Sequence, residues 1–128
     1  MARKKILLVD DAETILMMEQ LILHNDYDLV TARNGQEAVT TAMSERPDLI
    51  LLDIVMPTMD GFTACKQIRE DKEIGTVPII MVTTRAEQQN MEKGFQSGCS
   101  DYVAKPINSG ELISKIRSFL GEQQCGTL

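Results

Sequence analysis

Three stretches of the chain constrain its fold more than any other feature. Ile6–Val9, Leu49–Leu52 and Ile79–Val82 are unbroken apolar runs, without the polar alternation of a half-solvated strand. Such runs read as strands buried on both faces, the pattern of a parallel sheet covered by helices. The segments between them have helical length and periodicity. "KILLV", "YDLVTA", "PDLILLDIV", "VPIIMVT" and "SDYVAK" read as strands. "ETILMMEQLILHN", "GQEAVTTAMSE", "GFTACKQIRED", "AEQQNMEKGFQS" and "GELISKIRSFLGE" read as helices. Strict alternation of strand and helix, with right-handed crossovers, predicts a doubly wound α/β fold. Pro47 and Pro78 precede strands 3 and 4, where no ladder donor is needed, and Pro57 and Pro106 follow strands 3 and 5.

The remaining composition narrows the function. A chain of 128 residues fits one domain, 1–128, with a core over about 4–120 and a frayed polar tail from 121. The net charge is −6, and no cluster of lysine and arginine is long enough to track a phosphate backbone, which argues against direct nucleic-acid binding. "MARKK" is followed by too few apolar residues for a signal peptide, and no run reaches membrane length. Cys65, Cys99 and Cys125 lack metal-ligand spacing and read as reduced thiols, which suits a cytoplasmic protein.

Ligands of open α/β sheets bind beyond the carboxyl ends of the strands. Strand 1 ends in Asp10 and Asp11, strand 3 in Asp53, strand 4 in Thr83 and Thr84, and strand 5 in Lys105, whereas "ARN" after strand 2 suggests no part of a site. Two adjacent carboxylates closing a buried strand repel one another, so they are either solvated capping residues or partners of a cation. Taken singly, Asp11 reads equally well as a helix cap, Lys105 as a surface lysine, Thr83 as a β-branched strand residue and Tyr102 as a packing residue. Their joint arrival at one sheet edge favours a site.

In these motifs ("LLVDD", "DLILLDIVMPTMDG", "PIIMVTT" and "DYVAKP", in that order) the chain resembles a response-regulator receiver domain, the phosphoacceptor module of two-component signalling. The resemblance implies the flavodoxin-like strand order 2-1-3-4-5, which sets Asp10, Asp11 and Asp53 together. It implies Asp53 as phosphoacceptor, and Mg²⁺ held by Asp11, Asp53 and the Val55 carbonyl with Asp10 assisting through water. A hard, oxygen-only carboxylate site suits that ion. It further implies Lys105 and the Thr83 hydroxyl as phosphoryl contacts, a cis peptide at Pro106 aiming the lysine, and Thr83 with Tyr102 as the switch. The signal would then leave through the face of helix 4, strand 5 and helix 5. Implied partners are a sensor histidine kinase or phosphotransfer domain, a downstream protein or output domain, and a phosphorylation-dependent second copy. The receiver would catalyse only its own phosphorylation and dephosphorylation.

Val55 and Arg85 lie two residues beyond Asp53 and Thr83, and Thr84 adds bulk beside them, so these three are expected to tune the phosphorylated lifetime by obstructing water. Helix 1 carries an expected core stripe of Ile15, Met18 and Ile22, with Leu16, Met17, Leu21 and Leu23 around it; the excess reads as packing against helix 5 or as a docking surface. Two other functions fare worse. An enzyme acting on external substrates through an aspartyl-phosphate lacks a cap insertion, and His24, the only histidine, sits in helix 1. A flavodoxin-like cofactor binder needs a phosphate cradle after strand 1, where the acidic pair repels phosphate.

Overall fold

The computed structural model describes residues 3–54, 56, 59–84 and 91–121. In chain order the elements are β1 (Lys5–Val9), α1 (Glu13–Leu23), β2 (Asp28–Ala32), α2 (Gly35–Glu45), β3 (Leu49–Asp53), α3 (Gly61–Arg69), β4 (Ile79–Thr83), α4 (Met91–Ser97), β5 (Asp101–Ala104) and α5 (Ser109–Leu120). The strands form one sheet in the order β2-β1-β3-β4-β5, every pairing parallel. The alternation of strand and helix read from the sequence is therefore the observed architecture. Val55, Arg85 and Cys125, and the start expected for helix 4 at residue 86, lie outside the described residues.

Burial follows the apolar runs. All five residues of β3 and of β4 are buried, which is why neither strand alternates. Because side chains alternate across a strand, each central strand feeds two cores. Leu7, Val9, Ile50, Leu52, Ile79 and Met81 meet Ala38, Val39, Ala42, Ala64, Cys65 and Ile68 from α2 and α3. On the other face Ile6, Leu8, Leu49, Leu51, Ile80 and Val82 meet Leu16 and Leu23 of α1 and Leu112 and Ile116 of α5. Each of the leucine, isoleucine, valine and methionine side chains among them contributes about 1.5–3 kcal/mol on leaving water. At the edge, β2 exposes Asp28 and Thr31, polar residues that discourage pairing with a further strand.

Local chemistry sets the helix starts. The side chains of Asn34, Asp60 and Asn108 cap α2, α3 and α5, accepting from the amides of Glu37, Thr63 and Glu111 at 2.8, 2.8 and 2.9 Å. Helix α1 differs: its N-cap is Ala12, which makes no side-chain cap, so Asp11 is not a capping residue. The core stripe of α1 is also displaced by one residue from the expected Ile15–Met18–Ile22. Leu16, Glu19 and Leu23 are the buried residues, Met18 is 40% exposed, and Ile22 only flanks the core. Apolar character nearly all round the helix hid the true face, and the inward stripe includes a charge-bearing side chain.

At the far end of the sheet, Arg69 at the end of α3 donates to the carbonyls of Gly98, Gly75 and Val77 at 2.7, 3.0 and 2.5 Å. It thereby ties α3 to the loops entering β4 and β5. Nearer the strand ends, Gly61 opens α3 with its amide on the Ile54 carbonyl at 2.8 Å. A Cβ at Gly61 would stand 2.4 Å from the Asp53 carbonyl oxygen and 2.9 Å from Ile54 Cα. Both neighbours are backbone and cannot swing aside, so Gly61→Ala must push the end of β3 out of line. We expect it to lower the urea midpoint by about 1 M, the scale of a 1–3 kcal/mol overpacking cost in a domain of this size. A midpoint equal to wild type would show that the loop relaxes freely.

Candidate phosphoacceptor site

Parallel strands point their carboxyl ends the same way, so β1, β3, β4 and β5 deliver their last residues to one edge. Val9 lies beside Leu52 in the register, Asp53 beside Val82, and Thr83 beside Ala104. Asp10, Asp53, Thr83 and Lys105 thereby meet, and β2 contributes the Ala32 carbonyl that accepts from the Asp10 amide at 3.1 Å. Asp10 and Asp53 are 1% and 3% exposed, and Thr83 is fully buried.

Lys105 joins the acids. Its Nζ lies 3.3 Å from Asp53 Oδ1 and 3.4 Å from Asp10 Oδ2. Burial alone would lower the lysine pKa, but the charges of Asp53 and Asp10 and their hydrogen bonds outweigh it and hold the pKa above its ordinary value. The ammonium is therefore fixed as a cation between two buried carboxylates. The Lys105–Pro106 peptide bond is cis, and the Lys105 amide donates to the Thr83 carbonyl at 2.6 Å.

Asp11 completes the acidic group from the exposed rim. Asp10, Asp11 and Asp53 each offer a carboxylate oxygen, and the three oxygens lie within 4.8 Å of one another. Hard oxygen donors of this kind, few in number and open to water on one side, fit Mg²⁺, which keeps several waters and takes only a few carboxylates from a protein.

The groups expected to report the state of the site stand in defined poses. Thr83 donates its hydroxyl to the Thr84 carbonyl at 3.0 Å. Tyr102 on β5 is half-buried, its ring edge-on to Phe95 of α4 with centroids 6.5 Å apart. Lys115 of α5 lies 5.3 Å from the Tyr102 ring centroid and donates to the Tyr102 carbonyl at 2.6 Å. Its Nζ also pairs with Asp101 at 3.3 Å.

One group of this neighbourhood escaped sequence reasoning. Glu19 of α1 is 1% exposed. Burial first, and then the charge of Asp10, push its pKa up to about 8; Lys105 opposes and Asp53 adds to the rise. Its signal was an acidic residue spaced i+3 from Leu16 and i−4 from Leu23, visible only once those leucines are recognised as the inward stripe.

Comparison with known proteins agrees with this geometry. The sequence profile of the response regulator receiver domain matches residues 6–117. The alkaline phosphatase synthesis transcriptional regulatory protein PhoP of Bacillus subtilis is 40% identical over 118 residues, 91% of this chain and 48% of that protein. The polar-differentiation response regulator DivK of Brucella anthropi is 37% identical over 120 residues, 93% of this chain and 98% of that protein. The receiver domain of the sensor histidine kinase PA1611 from Pseudomonas aeruginosa, solved with a magnesium ion coordinated in its active-site cleft, superposes with a TM-score of 0.87. It is 34% identical, over 94% of this chain and 100% of that one. The chain spans about half the length of several curated transcriptional regulators it matches, at 48% and 52%. Among the described residues no helix is long and apolar enough to cross a membrane. With its five-stranded parallel sheet and its acid–lysine edge, the chain belongs to the response regulator receiver domain family.

Proposed function

We propose that Asp53 accepts a phosphoryl group from the phosphohistidine of a sensor kinase or phosphotransfer domain, and that its phosphorylation switches the α4–β5–α5 face between two binding states. The observation that carries this reading is the Lys105 ammonium 3.3 Å from Asp53, beside two further carboxylates at the same strand ends. In the transfer, an Asp53 carboxylate oxygen forms a bond to phosphorus while the phosphorus–nitrogen bond of the donor breaks, leaving the donor imidazole. Asp53 is held in line at the end of β3. Lys105 moves its charge from the acids to the phosphoryl oxygens.

Asp10, Asp11, Asp53 and the Val55 carbonyl are the groups that would hold Mg²⁺. When bound, the ion neutralises charge on the acids and the phosphoryl oxygens. The chain acts on no other substrate in this reading; it supports only the gain and loss of its own phosphoryl group.

Thr83 connects the site to the face. Turning its hydroxyl from the Thr84 carbonyl to a phosphoryl oxygen empties space on the β4 side of Tyr102. The tyrosine ring, held at the surface by Phe95 and Lys115, then has room to move inward. That is a population shift biased by the charge on Asp53. A downstream protein, an output domain or a second copy reads the new face. Exposed Met17, Met18 and Leu21 on α1 suit the adaptable contacts of a phosphodonor protein. Val55 and Arg85, two residues beyond Asp53 and Thr83 in the sequence, would with Thr84 set the phosphorylated lifetime by obstructing water, and the setting is cytoplasmic.

Two outcomes test the reading. Acetyl phosphate with Mg²⁺ should add the mass of one phosphoryl group to the wild type and nothing to Asp53→Ala, read by intact mass; the same addition in both proteins places the acceptor elsewhere. Asp11→Asn removes one of three crowded charges, so without Mg²⁺ it should melt above wild type, by about 2–5 °C, while losing most of the Mg²⁺-dependent rise in Tm. A full magnesium shift in that variant would remove Asp11 from the ligand set.

A further inference from the structure

Of the four asparagines in the chain, at 25, 34, 90 and 108, only Asn34 is followed by glycine. The pair stands where β2 hands over to α2, and the fold imposes both members. Asn34 is the N-cap of α2, its side-chain oxygen accepting from the Glu37 amide at 2.8 Å. Gly35 is buried against Met59 of the loop before α3. A Cβ at Gly35 would stand 2.7 Å from Met59 Cβ and 2.9 Å from the Met59 carbonyl carbon, so a side chain there meets groups that cannot swing aside. A carboxamide is thus followed directly by an amide nitrogen that no side chain shields.

That nitrogen is a nucleophile for the carboxamide. Gly35 N forms a bond to Asn34 Cγ, the Cγ–Nδ2 bond breaks, and Nδ2 leaves as ammonia with the proton that the Gly35 amide gives up. Water then opens the cyclic imide. Opening at Cγ gives aspartate at position 34, and opening at the backbone carbonyl gives isoaspartate, with the chain running through Cγ. The folded geometry opposes ring closure. A five-membered ring needs the Cα–Cβ bond and the backbone C–N bond nearly eclipsed, and the Asn34 ψ of 172° staggers them. The cap holds the carboxamide in that pose. We propose that Asn34 is a site of spontaneous deamidation gated by the first turn of α2, the reaction running only while that turn is open. The two products differ in consequence. Aspartate caps a helix as well as asparagine does. Isoaspartate adds one carbon to the backbone between β2 and α2, which withdraws the cap and shifts Gly35 from its seat on Met59.

The gate is tested by following isoaspartate in warm neutral buffer, through methyl transfer from an isoaspartyl methyltransferase and fragment masses that locate the product. Wild type is compared folded and in urea. Two variants accompany it: Asn34→Ser keeps a cap without a carboxamide, and Glu37→Pro removes the capping amide in a first turn that tolerates proline. Conversion at Asn34 should run about five- to a hundredfold slower in the folded protein than in urea, the span between losing one cap and opening a packed helix turn. Asn108 caps α5 through the Glu111 amide at 2.9 Å but precedes Ser109, so it should stay unconverted over the same time. Folded Glu37→Pro, its state checked by a melting curve, should convert about fivefold faster than folded wild type. If that variant does not fold, the comparison in urea still decides. Equal rates folded and in urea overturn the gate. Isoaspartate that persists undiminished in Asn34→Ser overturns the assignment to Asn34. Folded wild type still unconverted after about a hundred half-times of the urea reaction overturns the proposal as well, since the turn then does not open.

Discussion

The Lys105 ammonium between Asp10 and Asp53 is the interaction on which the rest of the site depends. Two neighbouring carboxylates that are almost wholly buried repel one another and call for a compensating cation. Lysine is suited to the task because its charge is a compact point on a flexible stem, able to leave one anion for another. A guanidinium would hold a fixed bidentate pair instead. The pocket is thus poised, its anions satisfied by a cation that can be drawn away.

The sheet makes that poise possible and carries its consequences. Parallel pairing is what aligns the ends of β1, β3, β4 and β5. The same ladder links the cation to the reporter, since the Lys105 amide bonds the Thr83 carbonyl and Thr83 lies beside Ala104, two residues past Tyr102. In the proposed switch, a change at the Asp53 carboxylate would reach α4 and α5 through these groups. The central strands need not deform, and their full burial makes them the stiff part of the molecule.

Much of this was legible in the sequence for a physical reason. Strands buried on both faces must be continuous apolar runs, so β1, β3 and β4 announce themselves, and the polar residues that end them stand out. Asp10, Asp53 and Thr83 stand out that way, whereas Lys105 follows the half-polar strand β5. Helix α1 was read wrongly because its discriminating signal is weak. With Ile15, Leu16, Met17, Met18, Leu21, Ile22 and Leu23 all apolar, periodicity cannot choose a face. The inward stripe is fixed by tertiary packing, which Leu16 and Leu23 join and Met18 does not. Glu19 was missed for the same reason. The poses of Thr83, Phe95 and Lys115 about the switch were also beyond sequence, because they depend on rotamers and on which helices lie next to β5.

The measurement that bears most directly on the central claim is the thermal stability of Lys105→Met with and without Mg²⁺. Removing the ammonium leaves Asp10 and Asp53 buried without a cation, so the metal-free variant should melt about 5 °C or more below wild type. Added Mg²⁺ should raise its Tm by more than it raises that of wild type, because a cation at the acids then replaces the lost charge. A metal-free Lys105→Met that melts at or above the wild-type temperature would contradict the account, since the carboxylates would then need no compensation from Lys105.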